Sequence, residues 1–78
     1  MRDPARLNDF YEKIKEIHKE NFPDWRIGQF ISNFLAWYVA KYGECFYIED
    51  ARFIEKVEEY VRYIKYIYDR RGEQYDKL

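Results

Sequence analysis

Residues 26–41 read RIGQFISNFLAWYVAK, and the fourteen positions between Arg26 and Lys41 carry no formal charge. Ile27, Phe30, Ile31, Phe34, Leu35, Tyr38 and Val39 recur at the i, i+3, i+4, i+7 spacing of one helix face. Adding Trp37 widens that face to roughly 200° of arc, against the ~100° stripe of an ordinary surface helix. The other side carries Gly28, Ser32, Ala36 and Ala40, small residues at every fourth position. So apolar a helix is expected at the centre of a fold, covered from more than one side. The small-residue ladder is expected to admit a close neighbour, either another helix of this chain or a second copy in a homodimer.

Outward from this stretch, helix signals punctuate the rest of the chain. Asp3 is a favoured N-cap, and Pro4 suits the first helical position. Leu7, Phe10, Tyr11, Ile14, Ile17 and His18 then line one face, with Asp9, Glu12, Lys15, Glu16 and Lys19 opposite. Pro23 ends this helix, and Asp24 is the expected cap of the next. Gly43 stops the central helix in a left-handed conformation. Residues 44–48 read as an extended connector that turns Phe46 and Ile48 onto the core and Tyr47 outward. Asp50 is the expected cap of a third helix, whose inner stripe is Phe53, Ile54, Val57, Tyr60, Val61, Ile64 and Tyr68. The expectation is an all-α, compact three-helix domain with an extended connector before the third helix. Its helices fall at about 4–21, 25–42 and 50–70, and residues 72–78 are frayed.

Seventy-eight residues make one small domain. Six Phe, nine Tyr and two Trp make 22% of it aromatic. So many large rings are hard to bury in one small monomer, and some are expected to face a partner. A net charge of −1 argues against a dedicated nucleic-acid binder, which presents a basic face. The apolar run is too short for a membrane, which needs ~20 residues. The charged N-terminal stretch lacks a signal-peptide core, and the single Cys45 has no internal disulfide partner. A cytoplasmic protein is expected.

Few residues offer chemistry. Glu49 and Asp50 could be an acid–base pair, but adjacent side chains diverge at a helix start, and the helix dipole accounts for both charges. His18 and Cys45 are the only soft metal ligands, fewer than a zinc site requires. His18 reads as a hydrogen-bonded residue at the core edge and Cys45 as a small buried hydrophobe. No phosphate loop, nucleophile elbow or zinc-protease pattern is present. The sequence therefore implies neither enzyme activity nor a metal or cofactor. Tyr63, Tyr66 and Arg70 share a helix face off the core stripe, and Tyr and Arg are enriched in binding hot spots. They are the expected partner-binding residues. Lys65, Arg70 and Arg71 form a weaker basic cluster, diluted by Asp69, Glu73 and Asp76.

Three segments carry a resemblance: Arg2-Asp3-Pro4-Ala5-Arg6, Pro23-Asp24-Trp25-Arg26-Ile27-Gly28-Gln29-Phe30-Ile31-Ser32-Asn33 and Phe46-Tyr47-Ile48-Glu49-Asp50. In them the chain resembles a group of small uncharacterised helical proteins of Firmicutes bacteria and their phages. Those share an Arg-Asp-Pro start, a Pro-Asp-x-Arg-x-Gly-Gln segment and an aromatic-Ile/Val-Glu-Asp connector. The resemblance spans most of the chain up to Asp50 and implies a compact helical protein without implying an activity. The third helix here is longer and richer in Tyr than in that group. The leading expectation is a non-catalytic protein-interaction module, such as a phage- or mobile-element-encoded inhibitor of a host or defence protein, or a homodimer. The alternatives are a small nucleic-acid-associated regulator and a ligand-binding domain.

Overall fold

The computed structural model describes residues 2–70. The expected fraying of residues 72–78, and Arg71 of the basic cluster, lie outside them. Three helices form: α1 (Arg6–Asn21), α2 (Ile27–Tyr42) and α3 (Asp50–Arg70), with no strand among the described residues. Cross-helix contacts set the directions. Arg6 meets Asp50 and Lys13 meets Glu58, so α1 and α3 run parallel. Lys41 and Tyr42 meet Glu59, Trp37 meets Tyr63, and Phe34 meets both Phe53 and Tyr60, so α2 lies across the middle of α3.

The core takes Ile14 and Ile17 from α1, Phe30, Phe34 and Tyr38 from α2, and Val57, Tyr60 and Val61 from α3. Phe10, Trp37, Phe53 and Ile64 pack around it. Aromatic residues do most of the filling. Phe34 meets Phe53 and Tyr60 edge-to-face, at 5.1 and 5.9 Å between centroids.

The expected placement of α2 is corrected. It is α3 that packs against both other helices, while α1 and α2 have little backbone contact. Phe30 and Phe34 are fully buried, yet Ile27 is 59% and Val39 49% exposed on the same helix. Three helices cannot enclose one of their own number, so half of α2 stays open. Gly28, Ser32, Ala36 and Ala40 all lie in that open half. The ladder therefore packs against no other described helix, and a Cβ added at Gly28 would meet nothing within 4 Å.

The helix starts also correct the expected caps. Ala5 is the N-cap of α1 and no side chain caps it; Asp3 accepts the Ala5 N–H at 2.9 Å in the turn that precedes the helix. Asp24 does not cap α2. It sits at the tip of a turn closed by the Trp25 N–H on the Phe22 carbonyl at 3.0 Å, with Pro23 beside it. Arg26 is the N-cap instead, and its N–H donates to Gln29 Oε1 at 2.7 Å. Asp50 lies one residue inside α3, because the Glu49 carbonyl accepts the first helical bond, from Phe53 at 2.8 Å. The Asp50 carboxylate accepts from Arg6 Nε at 2.8 Å rather than from the α3 backbone.

Gly43 ends α2 with φ +93° and ψ −148°, and its N–H donates to the Val39 carbonyl at 2.9 Å. The backbone leaves the helix at once through a region that only glycine enters readily. The connector that follows has neither helix nor strand, and within it Ile48 N–H closes a turn on the Cys45 carbonyl at 3.3 Å. Cys45 and Ile48 pack against the core as expected, and Tyr47 points outward. Phe46 does not turn inward. It is 79% exposed, because the turn puts both Phe46 and Tyr47 at its tip, where strand alternation does not apply.

Candidate functional site

Tyr60, Tyr63, Ile64, Ile67 and Tyr68 occur on α3 at i, i+3, i+4, i+7 and i+8. This set is wider than the stripe that reaches the core. Its Tyr63–Ile67 edge faces Asn33, Ala36, Trp37 and Ala40 of α2 across an open groove of about 660 Å³. Trp37 forms one wall, with its ring centroid 5.4 Å from Tyr60 and 5.9 Å from Tyr63. Ala36 and Ala40 keep the α2 side low. Half of the small-residue ladder thus lines a groove. Among the described residues no other helix fills this space, since α1 packs on the far side of α3.

One mouth of the groove is fixed by charge. Glu59 accepts from Lys41 Nζ at 2.7 Å, from the Tyr42 hydroxyl at 2.7 and 2.8 Å, and from Lys56 Nζ at 2.9 Å. These donors, Lys41 first and then Tyr42 and Lys56, hold its carboxyl down to about 2. The Glu59 partnership correspondingly raises both lysines above the ordinary ammonium value. Lys56 is only 7% exposed, and its ammonium lies 4.3 Å from the Tyr42 ring centroid. The cluster clamps the end of α2 to α3. Deeper in, burial first, then the neighbouring Tyr63 and Tyr68, push the Tyr60 hydroxyl up to about 12, so it stays neutral.

The expected partner-binding residues divide. Tyr63 lines the groove. Tyr66 and Arg70 form a separate exposed pair outside it, with the guanidinium 5.9 Å from the ring centroid. Trp37, Tyr60 and Ile67 complete the groove and were not among the expected site residues. Their signal was present, since the apolar stripe of α3 widens toward its C-terminal half. Without the partner helix, Tyr60 and Tyr68 read as core alone.

The other candidates are not assembled into sites. Glu49 is held by Arg2 at 2.7 Å and Asp50 by Arg6 at 2.8 Å, so the two carboxylates are tied to different cations. His18 Nε2 lies 2.7 Å from the Trp25 carbonyl, and its ring packs 4.9 Å from Phe30. Cys45 is at the opposite end of the bundle, at the core edge. Among the described residues no three His, Cys, Asp or Glu side chains gather in a way that could hold a metal ion. Lys65 and Arg70 do not share a face, for Lys65 lines a mixed-charge groove between α1 and α3 with Glu16, Glu20 and Glu58. No described helix is long and apolar enough to cross a membrane. No family model matches the chain, and no curated protein or solved structure is significantly similar to it.

Proposed function

We propose that this protein is a non-catalytic protein-interaction module of the cytoplasm that receives a partner in the α2–α3 groove. The carrying observation is the groove itself, walled by Trp37, Tyr60 and Tyr63 and floored by alanines. Aromatic walls give a partner large rigid surfaces at little entropic cost, and small floor residues let a backbone or ring come close. The clamp at Glu59 fixes the groove's mouth before any partner arrives, which lowers the cost of ordering it on binding. An inhibitor that occludes a larger protein is the form of such a module favoured by the resemblance to phage proteins.

Site-specific photo-crosslinking tests this reading. A benzophenone side chain replacing Tyr63 should join the protein to another polypeptide. The same group at the exposed Tyr11 of α1, away from the groove, should not. A Tyr63 probe that captures no chain, its own second copy included, would remove the interaction reading.

A further inference from the structure

Among the described residues the most exposed large apolar side chains are Phe46, at 79%, and Tyr47, at 81%. They are neighbours at the tip of one tight turn, with ring centroids 4.8 Å apart, edge to face. Turn tips usually carry Gly, Pro, Asn, Asp or Ser, because those residues suit the backbone there. Two aromatic rings at a tip add nothing to the core and expose apolar surface.

The turn is also stiff. Its base residues Cys45 and Ile48 are packed on the core, and the Ile48 N–H closes it on the Cys45 carbonyl. The Glu44 carboxylate accepts the Phe46 N–H. Directly after it, Glu49 and Asp50 are pinned to Arg2 and Arg6. The two rings are therefore presented as a pre-formed knob, the condition under which aromatic residues bind most tightly for their area.

We infer that the occupant of the α2–α3 groove is the Phe46–Tyr47 knob of a second copy of this chain. This rests on the groove being a partner site, as proposed above. Two observations favour a second copy. Knob and groove match in kind, rings against the Trp37 and Tyr63 walls. They also match in placement. The knob begins five residues after Lys41, at the same end of the bundle, so two copies related by a two-fold axis can each seat a knob in the other. Four rings at roughly 150–250 Å² each bring about 600–1,000 Å² to the contact. With the groove walls they cover, that reaches the ~1,200–2,000 Å² of a specific interface.

Sedimentation equilibrium of the full chain, from micromolar to millimolar, tests this. The variants are a knob double substitution, Phe46→Ser with Tyr47→Ser, and a groove substitution, Ala40→Glu, all at exposed positions. Circular dichroism and melting curves establish that each stays folded. Wild type is expected to dimerise, and each variant to weaken the dimer at least tenfold. An equimolar mixture of the two variants should recover a heterodimer, tighter than either alone, because one intact knob still meets one intact groove. A dimer unchanged in the knob variant but lost in Ala40→Glu overturns the knob as occupant and leaves the groove reading standing. So does a monomeric wild type whose Tyr63 probe still captures a different protein. A mixture that recovers nothing points to an α2–α2 seam and overturns the knob.

Discussion

Phe22-Pro23-Asp24-Trp25 and Cys45-Phe46-Tyr47-Ile48 are both four-residue turns, closed by the fourth N–H on the first carbonyl at 3.0 and 3.3 Å. In both, the first and fourth residues face the core and the middle two face solvent. The first turn spends its aromatics at the base. Phe22 is fully buried, stacked on Trp25 at 4.4 Å and touching the rings of Phe30 and Tyr60. Its tip is Pro23-Asp24, ordinary turn chemistry. The second turn puts Cys45 and Ile48 at the base and its aromatics at the tip. One connector is therefore part of the core, and the other is a surface feature standing on the core. Aromatic content alone does not distinguish them. Position within the turn does.

The largest expected effect separates the two connectors directly. Phe22→Ala should destabilise the fold by about 3–5 kcal/mol, the range for deleting a buried ring. Phe46→Ala should stay within about 0.5 kcal/mol, as exposed substitutions do. Urea unfolding of both at low protein concentration checks this. A Phe46→Ala loss as large as that of Phe22→Ala would break the comparison.

The residues that shape each connector should differ next. Gly43→Ala forces a side chain into a backbone region costing of order 1–3 kcal/mol, since Gly43 has φ +93°. Pro23→Ala should cost only about 0.4–1 kcal/mol, chiefly by freeing the unfolded chain. Equal losses in thermal unfolding would mean that Gly43 relaxes to another conformation.

Acid should act at the root of the second connector. Glu59 is held at about 2 when folded, against an ordinary 4.5. Between those values the unfolded chain binds the proton and the folded one does not, so stability falls as pH falls. The Glu59 contribution is complete above about pH 4.5 and fades toward pH 2. Glu59→Gln should flatten the stability profile across that window and leave its slope near pH 7 unchanged. An unaltered acid limb in the variant would shift the acid sensitivity to other carboxylates.

The smallest effect concerns the end of the second connector. The Asp50 carboxylate contacts Arg6 and makes no cap bond to α3. Asp50→Ala should therefore cost about 0.2–1 kcal/mol, as an exposed ion pair does. Asp50→Ser should do no better. Recovery by serine in chemical denaturation would restore a capping role.

Much of the fold was legible in the sequence because helix periodicity is a local property. The spacing of Phe30, Phe34 and Tyr38, or of Val57, Tyr60 and Val61, fixes which face turns inward whatever the partner is. Pro23 and Gly43 mark their breaks through their own backbone restrictions. Tyr63 was legible as a surface ring for the same reason. What the sequence could not supply is how many neighbours a face meets. Ile27 and Val39 read as core and are half exposed, because only tertiary packing decides that α3, not α2, lies between the other two helices. The groove exists because Trp37 and Tyr63, twenty-six positions apart, are brought to 5.9 Å where α2 crosses α3. The inward Phe22 and outward Phe46 were settled the same way. A short aromatic connector has no period of its own, and only the turn that the flanking helices impose says which ring faces the core.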